Sequence, residues 1–288
     1  MSKQSEIFNQ VIVIGLGLIG GSLALEIKAK GLARQVIGIS RSLKNRREAL
    51  RQKAVDSVYP KIGAFVSKAD LIIIATPVES ILFFLKELKP LLSARSLLTD
   101  VGSTKQKIVE EAKRLKIAQF VGGHPIAGTE KSGMQAAERG LFEKKNWILT
   151  PSGKKSFGKL KQLIKKVGAR VLEMSAQDHD RAFAALSHLP NILSYALAST
   201  LLATQPKKNL RLAGSSLKEM TRLASSPPEM WRDISLANAS EIGKVLTSLQ
   251  NEIKKFQKAI QKKEGKKLTA FFEKGNQFRK ELKKEFLT

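Results

Sequence analysis

The sequence predicts an α/β protein with two domains, an N-terminal one built on a parallel sheet and a C-terminal one made only of helices. Two observations support this prediction. Up to about residue 176, short apolar runs alternate with amphipathic stretches, which is typical of βαβ units. Beyond residue 176 the strand-like runs stop and helical periodicity continues. We therefore expect domains over residues 1–176 and 177–288.

The expected strands are short runs rich in Val, Ile and Leu, at residues 10–14, 35–40, 70–75, 96–101, 119–122, 146–150 and 170–174. Helical patterns separate them: one follows the glycine-rich segment after residue 14, and others cover 45–54, 81–88 and 105–115. Ser103 or Thr104 is placed to cap the last of these. The C-terminal helices are expected at 178–187, 192–204, 209–224 and 229–238, followed by a long helix or pair with breaks at Gly265 and Gly275.

Composition excludes several classes of protein. The 288 residues contain no Cys, so there is no disulfide framework, thiol nucleophile, iron–sulfur cluster or Cys-based zinc site. A hydrophobic fraction of 42% argues against intrinsic disorder. The N-terminus is polar, and no apolar run is long enough to cross a bilayer. We expect a cytoplasmic protein without a membrane segment or a metal site.

The charge is strongly basic, with 51 Lys and Arg against 25 Asp and Glu and a formal net charge of +26. Such an excess fits either a polyanionic partner or a solvated basic surface. A nucleic-acid binder should interleave aromatic and basic residues. Only 6% of the chain is aromatic, and the Phe residues near the C-terminus follow a helical stripe. We expect no nucleic-acid partner.

The strongest local motif is Gly15-Leu16-Gly17-Leu18-Ile19-Gly20, a G-x-G-x-x-G between a strand and a helix. Glycines at these positions allow a tight turn and close approach of the backbone to a pyrophosphate at the helix N-terminus. The motif in this context predicts a Rossmann-type dinucleotide-binding domain.

The end of the second predicted strand indicates which dinucleotide is bound. NAD-specific folds usually place Asp or Glu there to hold the ribose hydroxyls. This chain has Ser40-Arg41, with Arg46 and Arg47 nearby. A hydroxyl and a guanidinium favour a 2′-phosphate. We predict NADP as the preferred cofactor, with NAD as the alternative.

Three further clusters fall where ligands bind in this architecture. Residues 99–105 and 122–130 each follow a strand, and the second cluster holds His124 between glycines and a proline. Far downstream, Arg222 and Trp231 flank a Ser-Ser-Pro-Pro turn.

With these residues in hand, the chain resembles the prephenate/arogenate dehydrogenase family of tyrosine biosynthesis. The matching segments occur in the family's order and span nearly the whole chain: GLGLIGGSLA, ADLIIIATP, TDVGSTK, VGGHPIAGTEKSG, HDRAFAALSHLPN and TRLASSPPEMWRDI. The segment around His124 is the most diagnostic of them.

The resemblance implies oxidative decarboxylation of prephenate to 4-hydroxyphenylpyruvate with NAD(P), or of arogenate to tyrosine. It implies that His124 accepts the hydrogen bond of the ring hydroxyl and that Ser103 shares this bond and orients the His124 ring. The implied substrate contacts are Arg222, Thr129, Glu130, Trp231, His188 and Asn191. The implied cofactor contacts are Gly15, Gly17, Leu18, Ile19, Gly20, Ser40, Arg41, Thr76, Pro77 and Ser103. His179 is expected to support a helix N-terminus or a domain contact.

The resemblance leaves the substrate's side chain open. Many prephenate-using members carry a second His where this chain has Asn191, and Ser40-Arg41 is similar to arogenate-using members. Trp231 and the Thr221-Arg222 segment look like the prephenate-using type, which favours prephenate. We also expect a homodimer through the helical domain, and neither a fused chorismate mutase nor a separate amino-acid-sensing module.

Other functions remain as alternatives. A β-hydroxyacid or imine reductase shares this domain order but predicts a catalytic Lys on the first interdomain helix, and residues 178–187 contain no Lys. A cofactor-sensing regulator without catalysis, or a basic nucleic-acid binder, would not need His124.

Overall fold

A computed structural model of the chain describes residues 6–128, 131–151 and 157–287. The strands are β1 (Phe8–Ile14), β2 (Ala33–Ile39), β3 (Ser57–Tyr59), β4 (Leu71–Ile74), β5 (Leu97–Asp100), β6 (Phe120–Pro125), β7 (Asn146–Pro151) and β8 (Arg170–Glu173). The helices of the strand-containing part are α1 (Leu18–Ala29), α2 (Leu43–Arg51), α3 (Val78–Leu88), α4 (Gln106–Arg114) and α5 (Gly158–Lys166). The later helices are α6 (Ala176–Phe183), α7 (Leu189–Thr204), α8 (Ser215–Thr221), α9 (Pro228–Ala237), α10 (Ala239–Gln261) and α11 (Gly265–Leu287). The predicted fold class, an α/β domain followed by helices, is confirmed.

The strands form one sheet in the order β3-β2-β1-β4-β5-β6-β7-β8. All neighbouring pairs are parallel except β6 and β7, which are antiparallel. The prediction of a purely parallel sheet is therefore wrong at one pair. A parallel neighbour needs a long crossover, usually a helix. The described residues between β6 and β7 contain only a short 3-10 turn at Met134–Ala136, so the chain returns in the opposite direction.

Strand β3 was not predicted from the sequence. It has three residues, Ser-Val-Tyr, and pairs with β2 at the edge of the sheet. An edge strand of this length carries too few apolar residues to show an alternating pattern.

Both faces of the sheet are buried, as the apolar strands predict. Val11 and Val13 of β1 pack into a cluster with residues of α1 and α5. Ile12 and Ile14 point to the opposite face and pack with residues of α3 and α4. Successive side chains of a strand alternate between faces, so a strand covered by helices on both sides must be apolar throughout. This layering leaves the carboxyl ends of the strands available for a site.

The helical part is more interrupted than its sequence predicts. The π-helix Ala184–His188 joins α6 to α7. The single helix expected at 209–224 is instead a 3-10 turn at Lys207–Leu212, then α8, then a second 3-10 turn at Arg222–Ser225. Gly214 is the N-cap residue at which α8 begins, and Ser226 precedes two prolines, which a helix interior does not tolerate.

The chain packs as two units, residues 1–239 and residues 240–288. The second unit contains α11 and nearly all of α10. They are separated at Gly265 as expected, whereas Gly275 lies inside α11. Phe256 of α10 packs on Phe271 and Phe272 of α11, with ring centroids 4.9 and 5.7 Å apart. Over the described residues, none of the helices combines the length and hydropathy needed to span a bilayer.

Candidate active site

The first strand–helix turn has a shape that suits a dinucleotide phosphate. Gly15 has φ +98°, and a Cβ there would lie 2.2 Å from the carbonyl oxygen of Ala75. A Cβ on Gly20 would lie 2.0 Å from the carbonyl oxygen of Gly15, so α1 packs too closely for a larger residue. At Gly17, in contrast, a Cβ would meet no described atom within 4 Å. This open space lets a pyrophosphate approach the N–H groups that begin α1.

A cavity of about 730 Å³ lies beside this turn. Its lining includes Gly15, Gly17, Ser40, Arg41, Thr76 and Pro77, which the sequence assigned to the cofactor. Thr76 Oγ1 is buried and has no hydrogen-bond partner among the described residues, so it can bond to a ligand. Leu18, Ile19 and Gly20 form the first turn of α1. The glycine cradle and the unpaired hydroxyl fit a dinucleotide.

The loop after β2 presents cations and no carboxylate. The Arg46 guanidinium donates hydrogen bonds to the carbonyl oxygens of Ser40 and Arg41, at 2.6 and 2.9 Å. Ser42 caps α2 by accepting a hydrogen bond from the N–H of Asn45. Arg46 therefore holds the loop, while Arg41 is exposed and lines the cavity.

The segments that carry Ser103 and His124 are organised by Asp100 at the end of β5. Its carboxylate accepts the N–H of Gly102 at 2.8 Å and the N–H of Gly123 at 3.1 Å. Ser103 and His124 each follow one of these glycines, so a single carboxylate fixes both main chains. A Cβ on Gly123 would lie 2.5 Å from the carbonyl oxygen of Asp100. The glycine before His124 is thus required by the close approach of β5 and β6.

Asp100 is neutralised from inside the protein by Lys105. The Lys105 ammonium forms an ion pair with the Asp100 carboxylate, and both side chains are 0% exposed. Burial lowers the pKa of Lys105, whereas its attraction to Asp100 raises it. An isolated charge at this depth would be strongly unfavourable, so the two groups depend on each other.

His124 lies at the end of β6 in contact with a second histidine. Its Nδ1 is 2.8 Å from Nε2 of His179, and Nδ1 of His179 is 2.7 Å from Oδ1 of Asp180. The Phe183 ring stacks on His179 and packs against His124, with centroid distances of 4.5 and 4.8 Å. His124 Nε2 is bonded to no other described residue, so it is the ring nitrogen available to a ligand.

Asp180, which lies on α6, also caps the N-terminus of helix α4. Its two carboxylate oxygens accept the N–H groups of Lys105 and Gln106, at 2.7 and 2.9 Å. The prediction that Ser103 or Thr104 caps this helix is wrong, because no side chain of the local sequence caps it. A carboxylate from α6 satisfies these amides and faces the positive end of the helix dipole.

Burial keeps the histidines of this region neutral. Desolvation lowers the pKa of His124 well below 6.5, and the nearby His179, Lys105 and His188 lower it further. Burial also lowers the pKa of His179, although its bond to Asp180 acts in the opposite direction. Burial lowers the pKa of His188 to about 4. A neutral imidazole keeps one lone pair, which a proton acceptor needs.

His188 and Trp231 lie together next to this network. The two rings are nearly perpendicular, in a T-shaped arrangement with centroids 6.2 Å apart. His188 Nδ1 is 3.2 Å from the Asn238 amide nitrogen, which also donates to the carbonyl of Asp180 at 2.8 Å. Asn191 is buried in α7, and its amide donates to the carbonyl of Ser187 at 3.0 Å.

Comparison with known proteins identifies the family. Residues 23–173 match the model of the prephenate dehydrogenase nucleotide-binding domain, and residues 175–274 match the model of the prephenate dehydrogenase dimerization domain.

The chain belongs to the prephenate dehydrogenase family.

Individual relatives agree with this family. The chain is 38% identical to prephenate dehydrogenase of Bacillus subtilis (strain 168) over 93% of its own length and 75% of that protein. It is 30% identical to cyclohexadienyl dehydrogenase of Zymomonas mobilis, over 96% and 97% of the two chains. Among solved structures, prephenate dehydrogenase from A. aeolicus in complex with hydroxyphenyl propionate and NAD+ superposes with a TM-score of 0.88 at 31% identity, covering 95% and 98%. Synechocystis arogenate dehydrogenase superposes with a TM-score of 0.81 at 29% sequence identity, covering 95% of this chain and 99% of that one.

As a member of the prephenate dehydrogenase family, the chain is an oxidoreductase whose Rossmann domain uses NAD(P). Not every residue predicted for its site is placed with the others. Arg222 is exposed at the start of a 3-10 turn, and its side chain makes no hydrogen bond or ion pair with another described residue. Thr129 and Glu130 lie outside the described residues.

Sequence reasoning missed the residues that support the dehydrogenase's predicted acceptor. His179 contacts His124 directly rather than only supporting a helix or a domain contact, and Asp180 and Asn238 were not singled out. The one available signal was the Asp178-His179-Asp180 segment, since a His beside a carboxylate is a common proton-handling pair. Its partner lies 55 residues away, which no local pattern reveals.

Proposed function

We propose that the protein oxidatively decarboxylates prephenate to 4-hydroxyphenylpyruvate and carbon dioxide, with His124 as the proton acceptor and NADP as the preferred cofactor. One observation carries this proposal. His124 is at the carboxyl edge of the sheet, its Nδ1 is engaged by His179 at 2.8 Å, and its remaining nitrogen is available to a substrate hydroxyl. A neutral His in this position is a suitable general base.

The chain's own residues divide the remaining work. NADP+, when bound, supplies the hydride acceptor. His124 Nε2 accepts the hydrogen bond of the ring hydroxyl and takes its proton as the carbonyl forms, which contributes roughly 10²–10⁴-fold to the rate. Ser103, fixed through the Gly102 amide, shares the hydroxyl and orients it. The buried Asp100–Lys105 pair keeps the two strand ends that carry Ser103 and His124 in register.

Carboxylate binding is assigned to Arg222. An exposed guanidinium can reach a ligand carboxylate without losing an internal partner, and such a charge-assisted contact contributes about 1.5–3 kcal/mol when it is shielded from water. Trp231 is half-buried against His188, and we assign it to a wall of the substrate site. We assign Thr129, Glu130, His188 and Asn191 to the substrate side of the site.

The preference for NADP rests on Ser40 and Arg41. The loop holds an exposed guanidinium at the cavity and carries no acidic side chain to repel a 2′-phosphate. Arg46 donates through Nη1 to two carbonyl groups of the loop, and we assign Arg41, which lines the cavity, as the phosphate ligand.

Arogenate is the second candidate substrate. Asn191 carries no charge, and its amide group donates to Ser187, so its oxygen remains as an acceptor. An acceptor suits the ammonium group of arogenate, whereas a cationic His would suit the keto-acid side chain of prephenate. Trp231 and the segment around Arg222 favour prephenate.

We further propose a homodimer built by the helical domain, residues 177–288. The match to a dimerization domain over residues 175–274 supports it. So do large apolar side chains that are exposed in the single chain, Leu202 at 80% and Leu212 at 78%. Exposed apolar residues in such number mark an interaction surface.

A steady-state assay tests the reaction. Purified protein is supplied with prephenate or arogenate, each with NAD or NADP, and nicotinamide reduction is followed. We expect turnover with prephenate and NADP to have the highest kcat/KM. His124→Asn should lower kcat at least 100-fold, and Arg222→Ala should raise the KM for substrate. Absence of turnover in all four combinations would refute the proposed function, and full activity of His124→Asn would refute the assigned acceptor.

A further inference from the structure

Two buried side chains, Asp180 and His179, form a continuous chain of contacts with the predicted base, His124. Asp180 contacts His179, and His179 contacts His124, at 2.7 and 2.8 Å. The side chains of His179 and Asp180 are 0% and 1% exposed. Because both are buried, we assign neither of them a direct contact with substrate or cofactor.

The hydrogen positions along this chain follow from what each group can do. An ionised carboxylate only accepts hydrogen bonds, so Nδ1 of His179 must carry the proton that points at Asp180. A neutral His179 then has its lone pair on Nε2, and that nitrogen can only accept. Nδ1 of His124 must therefore be the donor, which leaves the lone pair of a neutral His124 on Nε2.

The Asp180 carboxylate, which starts this series of hydrogen bonds, is itself held in place. Asp180 accepts the N–H groups of Lys105 and Gln106 at the start of α4, and the Phe183 ring packs on both imidazoles. Two amide donors fix the direction of the carboxylate, and ring packing limits rotation of His124 and His179. Among the described residues, neither imidazole has another hydrogen-bond partner that would reverse this order.

We propose that Asp180 and His179 are positioning residues that set the tautomer of His124, so that the lone pair on its Nε2 faces the substrate. This inference rests on the proposed function of His124 as proton acceptor. It adds that the base is directional: with the opposite tautomer, Nε2 would carry a hydrogen and could not accept one. In the Ser-His-Asp triad, an Asp-to-Asn change that gives the wrong tautomer lowers kcat about 10⁴-fold.

The first test is spectroscopic and is made on the unaltered enzyme, with one variant used only to assign the signals. The ¹⁵N chemical shifts of the His124 ring, assigned with His124→Asn, distinguish a protonated Nδ1 from a protonated Nε2. We expect Nδ1 to be protonated and Nε2 to be unprotonated in the free enzyme at neutral pH. A protonated Nε2 would overturn the inference and the assignment of Nε2 as the acceptor, whereas turnover in the substrate and cofactor assay tests the reaction itself.

The second test changes one atom of Asp180 in order to reverse the donor and acceptor roles along the contacts to His179 and His124. In Asp180→Asn an amide group turned toward His179 donates to its Nδ1, and the side-chain oxygen then accepts the N–H of Gln106 but no longer that of Lys105. We expect the His124 tautomer to switch and kcat to fall at least 100-fold, with the KM for NADP within about twofold. Asp178→Asn is the matched control, because Asp178 lies on the same helix, is exposed and bonds only to Ser175 and Arg181 among the described residues. It should keep the parental kcat.

A third variant, His179→Leu, removes the nitrogen that accepts the hydrogen bond of His124 and fills its place with an apolar side chain. We expect a mixture of His124 tautomers and a kcat at least tenfold below the parent. Unchanged kcat in both Asp180→Asn and His179→Leu, in proteins that remain folded by circular dichroism, would refute the positioning role. If His124→Asn is also fully active, the proposed acceptor is wrong, whatever the tautomer.

Discussion

Two glycines of the same turn should respond to alanine in opposite ways, because one is constrained by packing and the other faces open space. A Cβ on Gly20 would lie 2.0 Å from the carbonyl oxygen of Gly15 and 2.9 Å from Ala75 Cβ. The carbonyl belongs to the backbone of the turn, so it must move by about 1 Å or more to reach an ordinary contact. A Cβ on Gly17 would touch no described atom within 4 Å.

The expected magnitudes follow from these distances. Gly20→Ala forces an overpacked contact against the backbone and should lower the free energy of unfolding by about 3 kcal/mol. Gly17→Ala should change it by less than about 1 kcal/mol. A lower entropy of the unfolded chain is stabilising by about 0.4–1 kcal/mol, and a poorer N-cap residue offsets it. The backbone at Gly17, with φ −92°, is one that alanine adopts freely.

Gly17→Ala, the variant with the smaller effect on stability, should have a large effect on cofactor binding. The methyl group of Gly17→Ala would occupy the space through which a pyrophosphate approaches α1, so we expect the Kd for NADP to rise at least tenfold. Urea unfolding measures the free energy of unfolding, and fluorescence titration with NADP measures the Kd. An undiminished NADP affinity in folded Gly17→Ala would refute the assignment of this turn to the cofactor. Wild-type stability in Gly20→Ala would refute the packing argument.

Three other outcomes are expected. Arg41→Ala should raise the KM for NADP about tenfold and leave the KM for NAD unchanged, because an exposed charge-assisted contact to a 2′-phosphate is lost; equal effects on both cofactors would contradict this. Lys105→Met leaves the Asp100 carboxylate buried without its cation and should cost about 3–5 kcal/mol in urea unfolding, whereas Lys113→Met, at an exposed position, should cost less than about 0.5 kcal/mol. Because the acceptor must be neutral and burial lowers the pKa of His124 below 6.5, kcat/KM should stay constant as the pH falls from 8 to about 6 and decline only at lower pH. A decline centred at 6.5 would show that the ring is solvated.

The fold could be predicted from the sequence where the signal is local. The turn Gly15–Gly20 joins one strand to the next helix, and its constraints come from residues close by in the chain. The buried strands β1 and β4 are apolar throughout, which is the consequence of being covered on both faces. The antiparallel direction of β7 was not predictable in the same way, because it depends on the path of the connection before it.

The site divides along the same line. His124 stands out in the sequence because glycines and a proline surround it, and the arginine after β2 stands out because an acidic residue is usual there. Nothing local indicates that Asp180, 75 residues away, would cap α4 in place of Ser103 or Thr104. The contact of His124 with His179 spans 55 residues. Such contacts are made only when separate elements pack together.

The sequence by itself determined the α/β architecture and the dinucleotide turn, and it singled out His124 as the predicted base. These depend on periodicity, glycine geometry and residue chemistry, all of which act over a few neighbouring positions. Only the tertiary structure decided how that base is held: Asp100 ties two strand ends, Lys105 neutralises it, and Asp180 orients the imidazoles. Each of these carboxylates is buried, and a buried charge is stable only where the fold brings donors to it from distant parts of the chain.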